Sequence, residues 1–296
     1  MDFSKLDITD DIVFSCVMRS SDICKSMLEY LLPGLRIKNI VYLGENGERL
    51  EPQPETQKFI SGPLDRRGVR LDVYLDDDKT IYNIEMQTGA TSLAKRARLY
   101  QAHIDINQLG RGQDYESLKP CYVIFICKYD PFGQDRYMYT FQNRCDQMPE
   151  ELLGDGTYKC FFNTGGHVGD IPERLRELLT YMNNTAEYDV DTSGDELIKR
   201  INAAVADLKQ DKDWRREYMV YELKLHDKWM EGMRKGIREG RREGIREGIR
   251  EGIREGERNG TVNMLLKMIQ GGMSLESIAG ISGISVEEIK ELTAQA

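Results

Sequence analysis

Paired cysteine motifs are missing from this chain. Its six cysteines, Cys16, Cys24, Cys121, Cys127, Cys145 and Cys160, show no C-x-x-C spacing and no partner histidines. That speaks against a zinc site or a disulfide framework and leaves the cysteines as small apolar core residues. No Cys–His or Ser–His pair has the spacing of a triad, and His167 stands alone after two glycines, so nucleophilic catalysis has no support. No apolar run approaches the ~20 residues needed to span a bilayer. The opening MDFSKLDITDD lacks the basic and apolar regions of a signal peptide, and a cytoplasmic protein with no membrane contact is expected. A basic excess is missing too. The net charge of −9 argues mildly against nucleic-acid binding but leaves room for a local basic surface.

What is there is a chain of 296 residues, 40% hydrophobic and 31% charged, long enough for one main domain and an appendage. Its organising stretch is Arg70 to Gln87. Val69, Leu71, Val73 and Leu75 alternate with Arg70, Asp72 and Tyr74, the period of a half-buried strand. After the polar turn Asp76-Asp77-Asp78-Lys79, Ile81, Asn83, Glu85 and Gln87 alternate with Tyr82, Ile84 and Met86, which predicts a hairpin. A turn centred on Asp77 and Asp78 puts Asp72 diagonally across from Glu85, roughly 7–8 Å away at Cα. Two acids with an amide beside them suit Mg²⁺.

These residues carry a resemblance. Asp72, a gap of twelve and Glu85-Met86-Gln87 resemble the PD-(D/E)xK nuclease signature in an E-x-Q variant. The words RLDVYL, YNIEMQ, RARLYQAHI and DYESLKPCYVIFI, in that order, are similar to the Rpn group of recombination-promoting nucleases and transposases, from about Leu6 to Asp130. The resemblance implies an α/β, restriction-endonuclease-like core, a mixed sheet flanked by helices, with an α-helical C-terminal extension. It implies a metal-dependent DNA endonuclease acting in recombination or in defence against mobile elements and phage. Mg²⁺ (or Mn²⁺) would sit on Asp72 and Glu85, with Asp11 of the family's Asp-x-x-Phe pattern as a third ligand; Ser15 stands where Lys is common. Gln87 replaces the usual lysine and cannot supply a cation. Arg96, with Tyr100 four residues on, matches the family's Arg and Tyr and is the expected helper, so the catalytic set reads Asp72, Glu85, Gln87 and Arg96. Lys95, Arg96 and Arg98 would meet DNA. Gln87 and the acidic total also keep open a non-catalytic, nuclease-fold DNA-binding or assembly protein.

The remaining patterns fill in the architecture. Residues 7–31 predict one or two helices capped by Thr9 or Asp10; Asp11 then also suits the first-turn dipole. Residues 37–43 predict a strand, and 44–63, with three of eight prolines, a loop. From Ser92 a helix buries Leu93, Ala97, Tyr100 and Ile104, and Lys119–Cys127 reads as a central strand covered on both faces. Tyr137, Tyr139 and Phe141 alternate as a strand, Tyr158–Phe162 is another, and 171–183 and 195–225 are helical.

From Gly232 to Gly260 glycine recurs every fourth residue, with GIRE as the unit. Each mid-helix Gly costs about 1 kcal/mol, and a period of four winds the stripe about 40° per repeat, so a solvated linker is favoured over a helical arm. Residues 261–292 read as three short helical units of helix-turn-helix pattern, whose last helix, with Glu287, Glu288 and Glu291, would be repelled by phosphate. The expected domains are a nuclease-like domain at 1–190, a helical region at 191–231, the repeat at 232–260 and a helical module at 261–296. The C-terminal helices suggest a homo-oligomer, a dimer or higher.

Overall fold

The computed structural model describes residues 3–37, 42–43, 49–50, 55–60, 69–77, 79–89, 92–110 and 112–294. They divide into two compact units, Met1–Tyr218 and Met219–Ala296. The first opens with α1 (Asp11–Val17) and α2 (Ser21–Leu31). The pair is split because Ser20 leaves the helical path and caps α2, its hydroxyl accepting from the Ile23 N–H. A two-stranded ladder, β1 (Tyr42–Leu43) and β2 (Arg49–Leu50), is followed by β3 (Glu55–Ile60), β4 (Val69–Asp76), β5 (Ile81–Gln87) and α3 (Leu93–Gln108). Then come β6 (Cys121–Cys127), β7 (Met138–Phe141), β8 (Thr157–Asn163), α4 (Glu173–Asn183) and α5 (Glu196–Gln210).

Six strands form one mixed sheet in the order β3-β4-β5-β6-β8-β7. The β3–β4, β4–β5 and β7–β8 pairs are antiparallel, whereas β5, β6 and β8 run parallel. Both faces are covered, as the unbroken apolar run CYVIFIC requires. On one face Tyr82, Ile84, Met86, Ile124, Ile126 and Phe162 meet α1, α2, α4 and α5. On the other, Ile81, Cys121, Val123, Phe125, Cys127 and Phe161 meet Leu93, Ala97, Tyr100 and Ile104 of α3. This is an α/β, restriction-endonuclease-like arrangement.

Three elements differ from expectation. Part of 44–63, expected as a loop, is the edge strand β3, whose residues Glu55–Ile60 contain none of the prolines that prompted the loop reading. Of the strand expected at 37–43, only Tyr42–Leu43 lies within the described residues as strand. The helical pattern at 195–225 breaks at Asp211, whose side chain accepts from the N–H groups of Asp213 and Trp214 and caps a new helix, α6 (Lys212–Gln270). Trp214 and Tyr218 pack into the core of the first unit.

In the second unit α6 continues through the glycine repeat, followed by α7 (Leu275–Ser282) and α8 (Val286–Ala294). The expected boundaries at 231 and 260 both fall inside α6, and the repeat is helical rather than a linker. Nucleation, the costly step in helix formation, is already met where Trp214, Tyr218 and Leu265 pack, so the repeat needs only propagation. The Ile-Arg-Glu triplets between glycines supply it. Leu265, Ile278 and Ile289 form the small core of the last three helices. A methyl added at Gly244, Gly248 or Gly252 meets no heavy atom within 4 Å. Replacing all three by Ala should therefore strengthen the helix by about 1 kcal/mol each, read as a higher thermal midpoint of the 222 nm signal in the full chain. An unchanged or lowered midpoint would mean the repeat is not helical in solution.

Candidate active site

The β4–β5 ladder runs from Asp76↔Ile81 to Val73↔Ile84. Its loop centres one residue later than the sequence suggested, and extending the register by one sets Asp72 opposite Glu85 rather than diagonal to it. Side chains take over from the ladder there. The Asp72 N–H donates to Glu85 Oε1 at 3.1 Å, and the Met86 N–H donates to Asp72 Oδ2 at 3.3 Å. Each carboxylate is thus tied to the other's strand, at the end of β5 where the parallel strands β5, β6 and β8 also finish.

Helix α3 lies over this strand end. Arg96 Nη1 donates to Gln87 Oε1 at 2.6 Å, and Nη2 donates to the Tyr100 hydroxyl at 2.8 Å and reaches Glu85 Oε2 at 3.4 Å. The guanidinium also rests against the Phe125 ring, 5.6 Å from its centroid. Gln87 turns its own Nε2 back to the Met86 carbonyl at 2.6 Å. The structure thus brings Asp72, Glu85, Gln87 and Arg96 together. It does not bring in Asp11, which is exposed in the first turn of α1; among the described residues no hydrogen bond or ion pair links it to the other four. Its neighbour Asp10 does the capping, accepting from the Ile12 and Val13 N–H groups and the Tyr218 hydroxyl. Lys95 and Arg98 stand exposed on α3 to either side of Arg96.

Burial dominates the electrostatics. Glu85 is only 1% exposed, and burial together with the Asp72 charge lifts its carboxyl well above the usual carboxylate range against the opposing pull of Arg96. Cys127, at the end of β6 near Arg96, is no nucleophile, since burial pushes its thiol up to about 12. Burial likewise lifts Cys24 and Cys121 to about 12 and Cys160 to about 11, in keeping with cysteines that serve the core. His167 is exposed and paired with Asp135 at 3.1 Å.

Two residues enter that the sequence did not single out for the site. Ser15 of α1 donates to the Asp72 backbone carbonyl at 3.5 Å, so the position where the family often has Lys sits against the strand that carries the first acid. Asn83, two residues before Glu85, is wholly buried. Its amide comes near enough to Glu85 to draw that carboxyl's pKa down slightly, yet among the described residues neither its oxygen nor its nitrogen closes a hydrogen bond. The alternation of Asn83, Glu85 and Gln87 along β5 was the available signal.

The donor set suits a divalent cation. Two carboxylates converge where one is buried, raised and only partly offset by Arg96, an arrangement that a hard cation with oxygen ligands relieves. Among the described residues no third acid, histidine or cysteine completes a cluster.

Fold and site together are those of an α/β domain with two acids on a central hairpin. Residues 53–147, about a third of the chain, match the family described as PD-(D/E)XK nuclease family transposase. That segment is thus similar to the PD-(D/E)XK nucleases, the resemblance read from RLDVYL and YNIEMQ, and the match supports nuclease-type function. No curated protein and no solved structure matches the chain. Among the described residues no helix is long and apolar enough to cross a membrane.

Proposed function

We propose that this protein is a divalent-metal-dependent DNA endonuclease, cytoplasmic, acting in DNA recombination or in defence against mobile elements or phage. The observation that carries the reading is the hydrogen-bonded set of Asp72, Glu85, Gln87 and Arg96, within residues similar to PD-(D/E)XK transposases. Asp72 and Glu85 would hold Mg²⁺ or Mn²⁺. When bound, such an ion lowers the pKa of a water and stabilises charge on phosphate oxygens.

The chain's own residues do the rest. Arg96 holds Gln87 and Glu85 in place and keeps a positive charge at a strand end where the motif lysine is missing. The Asp72–Glu85 cross-ties fix both carboxylates before substrate arrives, which removes reorganisation from the reacting state. Lys95 and Arg98, exposed beside Arg96, would meet the DNA backbone. Asp11 is kept as a ligand only if α1 shifts toward the hairpin. The C-terminal helices, with exposed Ile237, Ile245, Ile249 and Ile253, would join copies of the chain. We read 261–296 as an interaction module, since α8 carries Glu287 and Glu288 in its first turn.

The test is plasmid nicking by the purified protein with Mg²⁺, Mn²⁺ or EDTA, beside Asp72→Ala and Glu85→Ala. Metal-dependent cleavage that disappears in both variants is expected. Cleavage that survives both would sink the assignment. Tight DNA binding with no cleavage under any divalent ion would favour a non-catalytic DNA-binding or assembly protein, a reading that the absence of a motif lysine keeps alive.

A further inference from the structure

Leaving a buried amide unpaired is costly, because both its donor and its acceptor have given up water for nothing. Native proteins keep few such groups, and each calls for a reason. Asn83 is one. It lies on the central strand β5, paired in register with Tyr74 of β4 and Val123 of β6, and has no exposed surface. An apolar side chain of equal size would fit this setting better by packing alone. Its side chain shares a strand face with Glu85 and Gln87, two and four residues on.

We infer that Asn83 is a positioning residue of the cation site, its amide closing fully on Glu85 in the metal-bound state. This rests on the reading of Asp72 and Glu85 as metal ligands. A carboxylate pulled to a cation needs a hydrogen-bond donor to fix its orientation, and such outer partners are worth about 10–100-fold in metal affinity. Asn83 is well placed to be that donor. It is next to Glu85 on the same face, and its weak pull on that carboxyl falls short of a closed hydrogen bond for either polar atom. The Asp72 N–H already ties Glu85 Oε1 from the other strand, so an amide from the Asn83 side would complete the clamp.

The experiment measures Mn²⁺ binding by calorimetry and the thermal midpoint of the full chain with EDTA and with Mn²⁺, for wild type, Asn83→Leu and Asn83→Asp. Asn83→Leu removes the unpaired amide, so its metal-free midpoint should equal or exceed wild type while Mn²⁺ affinity falls about 10–100-fold. Asn83→Asp sets a third carboxylate beside the site. It should lower the metal-free midpoint and enlarge the Mn²⁺-induced rise beyond that of wild type. A merely structural amide would leave the Mn²⁺ affinity of Asn83→Leu at the wild-type value. Wild-type affinity in Asn83→Leu, or, should Leu not fold, an Mn²⁺ rise in Asn83→Asp no larger than wild type, overturns the inference and leaves the metal site standing. No Mn²⁺ binding by wild type overturns the metal reading and the inference together.

Discussion

Glu85→Gln should abolish metal-dependent cleavage while making the metal-free protein more stable at neutral pH. The two effects have one cause. Glu85 is buried, faces Asp72, and has its pKa raised first by desolvation and then by that neighbouring charge. Below the ordinary carboxylate pKa of about 4.3 both folded and unfolded chains carry the proton, and Glu85 contributes no pH dependence. As pH rises from there toward the raised folded value, the unfolded chain releases its proton first, so the folded state holds more protons and stability falls. Above the folded value the loss is complete. Gln keeps an oxygen for the Asp72 N–H and gives up only the longer contact with the Arg96 guanidinium, and it never ionises, so the loss does not occur. Its thermal midpoint in EDTA at pH 7 to 8 should lie above wild type by about 2–4 °C, the shift that about 1 kcal/mol gives a domain of this size, and the gap should close toward pH 4. Cleavage should fall by about 10³-fold or more, because the charge that would hold the cation is gone. A variant less stable than wild type across the whole range would mean that Glu85 is held by its hydrogen bonds more than it is penalised by burial.

How much of this was legible before the structure depends on which force sets each feature. The hairpin and the α3 face came straight from period, because a half-buried strand and an amphipathic helix write their burial into the residue order. The joining of Arg96 to Gln87 could be anticipated only as far as the resemblance carried it. A guanidinium nine residues on finds a strand-end amide through the tertiary path of the β5–α3 connection, and nothing in local sequence encodes that. The edge strand β3 was hidden by the prolines of the flanking sequence and by its own polar residues, Glu55, Thr56, Gln57 and Lys58. The break at Asp211 was hidden because Lys, Trp and Tyr continue a helical pattern while one aspartate side chain re-caps the backbone. Asn83 was in plain view in the alternation of β5, but its significance is a missing hydrogen bond, which only coordinates can display. The place of Asp11 among the expected ligands came from a motif match alone; α1 turns Asp10 inward on its own N–H groups and leaves Asp11 exposed.

Arg96→Met should be the most damaging substitution on α3, and the damage should be conditional on Glu85. The guanidinium is about one-third exposed, holds Gln87 and Tyr100 by short hydrogen bonds, and is the positive charge that opposes burial at Glu85. Methionine keeps much of the packing on Phe125 but removes the charge and the donors. Breaking a fully buried ion pair costs about 3–5 kcal/mol. The partial exposure of Arg96, and proton uptake by Glu85 once its partner is gone, should hold the cost to about 1–3 kcal/mol, read from urea midpoints at pH 7. In the Glu85→Gln background the same change should cost distinctly less, because no buried charge is left behind. A cycle of the four proteins therefore yields a coupling term of about 1 kcal/mol or more. Cleavage should drop about 10²–10³-fold in Arg96→Met, the effect of losing one fixed positive donor near the reacting phosphate. Lysine at 96 should recover part of the charge effect but not the fork that grips Gln87 and Tyr100 together, so Arg96→Lys should restore stability more than rate. Equal costs of Arg96→Met in the two backgrounds would show that Arg96 acts through Gln87 and Tyr100 alone, and that the buried acid owes its place to the strand N–H groups.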